Sequence, residues 1–599
     1  MAALFAKRGL WIGLGLLAIV LAALATVSYV AGNRLANIAL SIVLEDITGR
    51  RVVVTEAPVI RMFPTFTAEF REISFHNRRY DSDQFPVLSA PVMRLSLSVV
   101  AALKGKTRIT GIVLERPEFR AKAQDGRWQL PLGAQSKFLE PIVSLTNSLP
   151  QDQFEAILTD ARDNAFGHIK IVDGRIVLDS RSTDVISSLN GSLSWMPGAR
   201  NGSFSGKAMW RGEAISFSGA TDDIAMLALG ADTGIAADFR SKPLTSRFSG
   251  TVRLSPSPYF EGKVFAQADS LLAAMRWQGV KTPLDLAAFG LTLSGAVKGD
   301  LEKLQLEDSQ LQLGTNEGTG SLIFQPNMAP PMLSGTLDFV SLDLAMLTKI
   351  FELGPKAPVT INAEPAMGAD LRISASNATF GSLALRKVAA SLQISKQANF
   401  LDIHDAAAFG GTMQMSMKRQ NNTIAQTELR ILANDIETKA LASLGGDFAD
   451  LPQARGSLSA ILSGPNIAAF DFFATAEGTV KLRLGAGTLP SMNANQMVRA
   501  LRKGGFFQLK GEAPSVLSFT EINAEASLAQ GTLQFNPLRI GLDEAAMLLT
   551  GTYAVKDQNI ALTGTLDLEE GHPEAPNGAE SIKIFFGGNR DALLMSGLQ

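Results

Sequence analysis

The stretch Thr412-Met-Gln-Met-Ser-Met-Lys418 alternates apolar and polar residues without a break, and Gly478-Thr-Val-Lys-Leu-Arg-Leu484 repeats the pattern. Successive side chains of a β-strand point to opposite faces, so a period of two gathers one set on one face. Met413, Met415 and Met417 then share a face, as do Val480, Leu482 and Leu484. The same reading applies to Met93-Arg-Leu-Ser-Leu-Ser-Val99, with Leu95, Leu97 and Val99 aligned, to Leu291, Leu293 and Val297, and to Ile560–Leu568. Each is a strand with one apolar face and one small, polar face.

Working outward, Gly-Ser/Thr-apolar triplets recur at Gly191, Gly250, Gly320, Gly335, Gly411, Gly456, Gly478, Gly531, Gly551 and Gly564. They are expected to begin strands, with glycine in the preceding turn or bulge. Their spacing is uneven, which excludes a fixed-period solenoid or propeller. Short helical stretches with a Gly stop are expected at Asp269–Gly279, Ser341–Gly354, Glu437–Gly445 and Asn493–Gly504, and another between Ser136 and Ala165, broken at Pro141 and Pro150. The fold expected is mainly β: an N-terminal transmembrane helix, then a long, curled antiparallel β-sheet with a few short helices. A one-sided sheet of this extent must cover its apolar face. Periodicity leaves two covers open, a second sheet (sandwich) or a ligand (groove).

The N-terminus reads as a membrane anchor. No charged residue occurs from Gly9 to Asn33, and the apolar run Leu10–Val30 is long enough to cross a hydrocarbon layer of about 30 Å. The anchor residues include Leu10, Trp11, Leu14, Leu17, Ile19, Val20, Leu24, Val27 and Val30. Lys7 and Arg8 precede it, which places the N-terminus in the cytoplasm and the remaining chain outside. The run exceeds the apolar region of a cleaved signal peptide. Leu35, Ile38, Ile42 and Ile47 extend a helical spacing toward Gly49.

Composition narrows the function. The 599 residues suffice for about four ordinary domains or one elongated one. With 55 Lys+Arg against 57 Asp+Glu the chain as a whole is no polyanion binder, and nucleic acid is not an expected partner. The absence of cysteine excludes thiol catalysis, thiolate zinc sites and disulfides. Thirty-three Phe against 4 Tyr and 5 Trp suit dry surfaces better than sugar or nucleotide recognition.

Possible chemical motifs fall short. Gly105-Lys106-Thr107 ends like a phosphate-binding loop, but Val100 stands where its glycine is required. Asp402, His404 and Asp405 read as a surface loop rather than a metal site, and Glu569, Glu570, His572 and Glu574 as a solvated loop. No nucleophile elbow has a triad partner. The chain is therefore expected to be no enzyme and to need no cofactor or metal.

Several stretches, in order, resemble the AsmA family of Gram-negative envelope proteins. They are Ile47-Thr-Gly-Arg-Arg-Val-Val-Val54, Phe63-Pro-Thr-Phe66, Glu72-Ile-Ser-Phe-His-Asn77, Leu88–Leu97, Lys104–Leu114, Asp125-Gly-Arg-Trp128 and Val172–Ser180, with Leu189–Leu193. Toward the C-terminus Phe519–Ala526, Gly531-Thr-Leu, Leu549-Thr-Gly-Thr-Tyr and Leu562–Leu568 resemble the family's last module. The resemblance implies an inner-membrane anchor, a periplasmic body with a curled β-groove, and a role in outer-membrane integrity. It divides the chain into a cytoplasmic tip (1–9), the anchor (10–32), an N-terminal β region (33–240), a β-meander with short helices (241–470) and a C-terminal β module (471–599). The function expected is conveyance of phospholipid, with acyl chains on a groove lined by residues such as Leu95, Leu293, Met415 and Val480. The alternative is a scaffold for outer-membrane protein assembly. Expected partners are the inner membrane, phospholipid acyl chains and other envelope proteins.

Overall fold

Thr412–Lys418 is a strand, and its alternation shows in burial at the start: Met413 is buried and Thr412 and Gln414 exposed, while Met415, Ser416, Met417 and Lys418 are all half-buried. The same logic repeats through a computed structural model that describes residues 44–45, 50–61, 66–76, 86–98, 108–124, 127–129, 150–163, 165–178, 185–254, 258–278, 289–345, 367–420, 426–441, 452–465, 472, 474–490, 494–509, 516–570, 572–574, 578–589 and 592–598. The anchor residues Leu10 to Val30, Lys7, Arg8, Val99 and the Gly105-Lys106-Thr107 triplet lie outside these. The described residues hold thirty-three strands and five short helices. They fall into two units, Met1–Gln278 with Thr292–Leu304, and Gly279–Leu291 with Gln305–Gln599.

In the first unit β1 (Arg51–Val54), β2 (Val59–Arg61), β3 (Phe66–His76), β4 (Leu88–Leu97), β5 (Ile109–Glu115), β6 (Glu118–Gln124) and β7 (Arg127–Gln129) precede helix α1 (Gln151–Asp163). Then come β8 (Gly167–Leu178), β9 (Val185–Trp195), β10 (Gly202–Trp210), β11 (Glu213–Thr221), α2 (Ile224–Ala228), β12 (Thr233–Arg240), β13 (Thr245–Arg253), β14 (Tyr259–Ala268) and α3 (Leu271–Trp277). Both β1 and β2 pair with β3, which pairs with β4. Strand β4 pairs with β5 and the start of β6, and β8 runs parallel to both. Thus β5 and β6 are one strand broken at Arg116, whose φ is 49°, and at Pro117, which lacks an amide proton. From β8 to β14 each strand pairs antiparallel with the next.

Strand β15 (Leu291–Gly299) belongs to the first unit from Thr292 onward, and the second unit holds β16 (Leu304–Leu313) from Gln305, β17 (Asn316–Gln325), β18 (Met332–Asp343), β19 (Gly368–Phe380), β20 (Leu383–Ile394), β21 (Ala398–Ala408), β22 (Gly411–Gln420) and β23 (Gln426–Glu437). Helix α4 (Thr438–Leu441) leads to β24 (Gln453–Pro465) and β25 (Glu477–Pro490). Helix α5 (Ala494–Lys503) is followed by β26 (Phe507–Gln508), β27 (Val516–Phe519), β28 (Glu521–Ala529), β29 (Thr532–Leu542), β30 (Ala545–Ala554), β31 (Asn559–Leu568), β32 (Glu580–Asn589) and β33 (Ala592–Gly597). Pairing is antiparallel except at β18–β19, which run parallel. Residues 344–367 join these two strands, enough chain for the crossover that a parallel pair requires. Strands β27 and β28 both pair with β25 and form one strand interrupted at Thr520, whose N–H bonds to Gly541 O. The sheets are therefore mixed, where uniform antiparallel pairing was expected.

Most of the glycine triplets begin no strand. Gly411 starts β22 and Gly531 precedes β29, but Gly191, Gly250, Gly320, Gly335, Gly456, Gly551 and Gly564 sit inside strands, and Gly478 is the second residue of its strand. Gly320 shows why. Its φ is 156°, and a Cβ there would lie 2.0 Å from Thr336 O on the facing strand. Only glycine tolerates that backbone, and such positions bend a sheet locally.

Helix ends follow capping chemistry. Asp223 caps α2 by accepting from Met226 N–H, and Ser270 caps α3 by accepting from Ala273 N–H. Helix α5 buries Met497, Val498 and Leu501 on one side. The helix expected from Ser341 does not begin there: Ser341, Leu342 and Asp343 complete β18, paired with Asn377, Ala378 and Thr379. Glu437 likewise ends a strand, and α4 begins at Thr438. Cross-strand pairing wins over local helical spacing at both places.

Buried clusters among the described residues stabilise each unit. Around Phe70, Ile73, Met93 and Leu95 lies the core of β1–β5, and Leu158, Trp195 and Leu229 join α1 to α2. In the second unit Leu429, Leu462 and Phe472 form one cluster, and Met497, Leu517, Met547 and Ile584 the C-terminal core.

Candidate functional site

Directly opposed residues of paired strands point to the same face, so register traces lines of side chains across a sheet. In the first unit one line passes Ile60, Ala68, Leu95, Ile112 and Ile169, on strands β2, β3, β4, β5 and β8. It continues through Leu193, Phe204, Gly219, Ala237, Phe248 and Val264, on β9 to β14. Eleven strands contribute and no member is polar. Ala68 and Leu95 are buried in the core; from Ile112 to Val264 every member is half-exposed.

The neighbouring line runs Phe70, Met93, Leu114, Ile171, Gly191, Gly206, Phe217 and Phe239. Rings compensate for the glycines: a Cβ on Gly219 would meet Phe204 Cζ at 2.5 Å, and one on Gly206 would meet Phe217 Cζ at 2.5 Å. The lining is therefore smooth, with aromatic faces spread over bare backbone.

The second unit carries a longer line. It starts at Gly320 and passes Leu337, Ile373, Ala390, Ile403 and Met415. It continues through Ile431, Ala460, Val480, Ala526 and Phe535. Gly551, Leu562, Phe586, Met595 and Phe507 complete it. Sixteen strands are crossed without a polar residue. Burial varies along it: Leu337 to Ile403 are buried, while Met415, Ile431, Val480 and Phe535 are half-exposed.

The opposite face of the first sheet is polar in the same register, through Glu69, Arg94, Val113, Lys170, Ser192, Ser205, Ser218, Asp238 and Arg247. Arg94 bonds Glu69 at 3.2 Å and Glu115 at 2.6 Å. The hydrogen bond from Arg94 holds the Glu69 carboxyl below the usual range, and the bonds to Glu115 and Glu69 raise the Arg94 guanidinium. The charges of this line thus lie opposite the two apolar lines, which hold none.

The expected lining residues distribute as follows. Leu95 lies in the first unit's line; Met415 and Val480 lie in the second's, as its sixth and ninth members. Met417 and Leu429 form an adjoining apolar line with Leu401, Leu462 and Leu528, and Met413 and Leu482 another with Ala433 and Leu458. Leu484 belongs to the C-terminal core, and Leu97 is buried. Leu291, Leu293 and Val297 are half-buried on β15. Phe204, Phe217, Phe239, Phe248 and Phe260 are lining residues that the sequence reading did not single out. Their strands interpose glycine and serine, which dilutes the alternation.

The suspected acidic loop Asp402–Asp405 is strand, not loop. Asp402 accepts from Ser416 Oγ and His404 Nε2 lies 2.9 Å from Ser391 Oγ, across neighbouring strands. His572 is buried rather than solvated: its Nδ1 accepts from Glu574 N–H at 3.1 Å. Among the described residues no group of three or more His, Asp or Glu side chains is arranged to hold a metal ion, and no helix is long and apolar enough to cross a membrane.

No family model, curated protein or solved structure matches the chain.

Proposed function

We propose that the chain is an envelope protein of the AsmA type, anchored in the inner membrane through residues 10–32 with its bulk in the periplasm, and that it supports the outer membrane by conveying phospholipid. The reading rests on the resemblance of its sequence stretches and on one structural observation. Each unit carries an unbroken apolar line across its strands; in the first its members are half-exposed from Ile112 to Val264, and in the second half-exposed residues such as Met415, Ile431, Val480 and Phe535 are interleaved with buried ones. An acyl chain laid along such a line shelters apolar area at about 25 cal/mol per Å². The headgroup stays hydrated at the margin. The glycine bends support a curled sheet that presents this face as a groove. Transfer by this route needs no catalytic residue, cofactor or metal, and the direction of movement is imposed by lipid supply and removal at the two ends.

The test is photo-crosslinking in intact cells expressing the full chain. A benzophenone side chain at Phe248 or Val480 is expected to give phospholipid adducts. The same probe at Ser249, on the polar face and outside the concavity described below, is expected to give none. Protein adducts to outer-membrane barrels at Phe248 and Val480, without lipid, would replace conveyance by the assembly-scaffold reading.

A further inference from the structure

On the polar face of β8–β12 lies a concave site of about 750 Å³. Its floor is hydroxyl. Ser192, Ser205 and Ser218 are directly opposed across β9, β10 and β11, with Ser192 Oγ and Ser205 Oγ 3.2 Å apart. Lys170 continues that line on β8. In the adjacent line Lys207, Ser216 and Arg240 are opposed across β10, β11 and β12. Lys207 and Arg240 therefore flank one serine, two strand spacings or about 10 Å apart at the backbone. Their side chains are long enough to converge on a group seated above Ser216.

The charge here is not compensated as it is elsewhere in the unit. Arg94 has two carboxylate partners, and Arg162 and Arg200 share Asp223. At the concave site the acid is Asp238, which Arg247 engages at 3.1 Å and Arg240 reaches only at 4.0 Å. No hydrogen bond or ion pair joins Lys170 or Lys207 to another described residue. His168, exposed at the rim, adds a further donor.

We propose that this concavity binds a phosphate-bearing ligand with a hydroxylated body, such as a polyol or glycerol phosphate. Cations approaching from β8, β10 and β12 suit a tetrahedral oxyanion, which presents oxygens in several directions, better than a flat carboxylate. The serine floor offers donors and acceptors to hydroxyl groups. The lining also takes in Ile169, Ile171, Gly191, Gly206 and Phe217, members of the apolar lines, while its hydroxyl and charged side chains belong to the opposite register.

The test is titration calorimetry on the full chain in nonionic detergent at fixed ionic strength. Glycerol 3-phosphate and pyrophosphate serve as free phosphates; dihexanoyl phosphatidylglycerol, kept below its micellar concentration, serves as a lipid headgroup. Lys170→Gln combined with Lys207→Gln is expected to weaken binding by about tenfold or more, as loss of charged hydrogen bonds does. Lys263→Gln, on the same face but two strands beyond Arg240, is expected to leave it unchanged. Binding of the free phosphates with this pattern assigns a soluble phosphorylated ligand. Binding of the phosphatidylglycerol alone, with the same pattern, assigns a headgroup. The proposal is overturned if neither class binds, if the double substitution has no effect, or if Lys263→Gln weakens binding equally.

Discussion

The ring of Phe204 occupies the space that a side chain on Gly219, its directly opposed partner, would need, and Phe217 stands in the same relation to Gly206. The two pairs are adjacent and reversed, so each strand supplies one ring and one glycine. An aromatic ring shields the bare backbone of its partner, a known remedy for glycine in sheets. Gly219→Ala forces Phe204 off its seat and also crowds Ala236 O, 2.6 Å from the new methyl group, and the denaturant midpoint is expected to fall by an amount equivalent to about 1–3 kcal/mol. Gly485→Ala serves as the control, since its nearest neighbour would be Arg455 O at 3.6 Å. That change is expected to be neutral or mildly stabilising, by up to about 1 kcal/mol. Equal losses at both positions would show that the ring contact is irrelevant.

At Gly320 the obstacle is backbone, not a movable ring. A methyl group would meet Thr336 O at 2.0 Å, at a φ of 156°. Neither partner can yield without breaking the β17–β18 register. Gly320→Ala is expected to cost about 3 kcal/mol or more and to raise hydrogen exchange in β17 and β18. Retention of wild-type protection in both strands would refute the bend.

Asp223 ties two helices to the first sheet. It accepts from Arg162 Nη2 at 2.5 Å and from Arg200 Nε at 3.3 Å, and caps α2 through Met226 N–H. Its side chain is 4% exposed and that of Arg162 12%. Removing one partner of a buried pair strands the other, so Asp223→Ala is expected to destabilise by about 3–5 kcal/mol. Asp223→Asn keeps an oxygen for the cap and should cost less. Hydrogen exchange across 151–163 and 224–228 reads the effect; equal exchange in the two variants would remove the cap from the account.

Acid should weaken the first unit in two steps. Burial, and then the nearby Arg51, lower the His76 imidazole, and Arg94 lowers the Glu69 carboxyl. In both cases the unfolded chain takes up a proton more readily than the folded one. The stabilisation is thus full above the unfolded value and is lost as pH falls toward the folded value. The His76 contribution begins to fade below about pH 6.5, and that of Glu69 below about pH 4.3. Glu69→Gln is expected to flatten the lower step and His76→Gln the upper one. Unfolding midpoints measured from pH 3 to 8 would contradict this if either variant kept the wild-type profile.

Much of this architecture is legible in the sequence, and the gaps have physical causes. Met413, Met415 and Met417 announce their strand because every second residue is apolar and the extra residue of the bulge opposite them lies on β21. The pattern around Asp402–Asp405 is blurred because the register shifts between Ile403 and Ala406, which puts two polar residues in succession. Glycine carries no signal that separates a turn from a mid-strand bend, since both exploit the missing Cβ; Gly531 does the first and Gly320 the second. Nor does local sequence state that β18 and β19 run parallel, because that depends on where a 24-residue connection returns the chain. The serine-floored concavity was hidden for a related reason. Lys170, Lys207 and Arg240 are far apart along the chain, and only the pairing of five strands brings them to one face.

The continuity of the apolar lines has a consequence for how such a chain changes length over evolutionary time. A line crossing strands at right angles is measured in strand spacings, each about 4.8 Å. Duplicating or deleting one antiparallel hairpin changes the span by about 10 Å. It leaves chain direction and residue parity intact, so every flanking side chain keeps its face. Loss of a single strand reverses the direction of all that follow. Within each unit the line of side chains is graduated in hairpins, and whole hairpins can be added or removed without redesigning its surface.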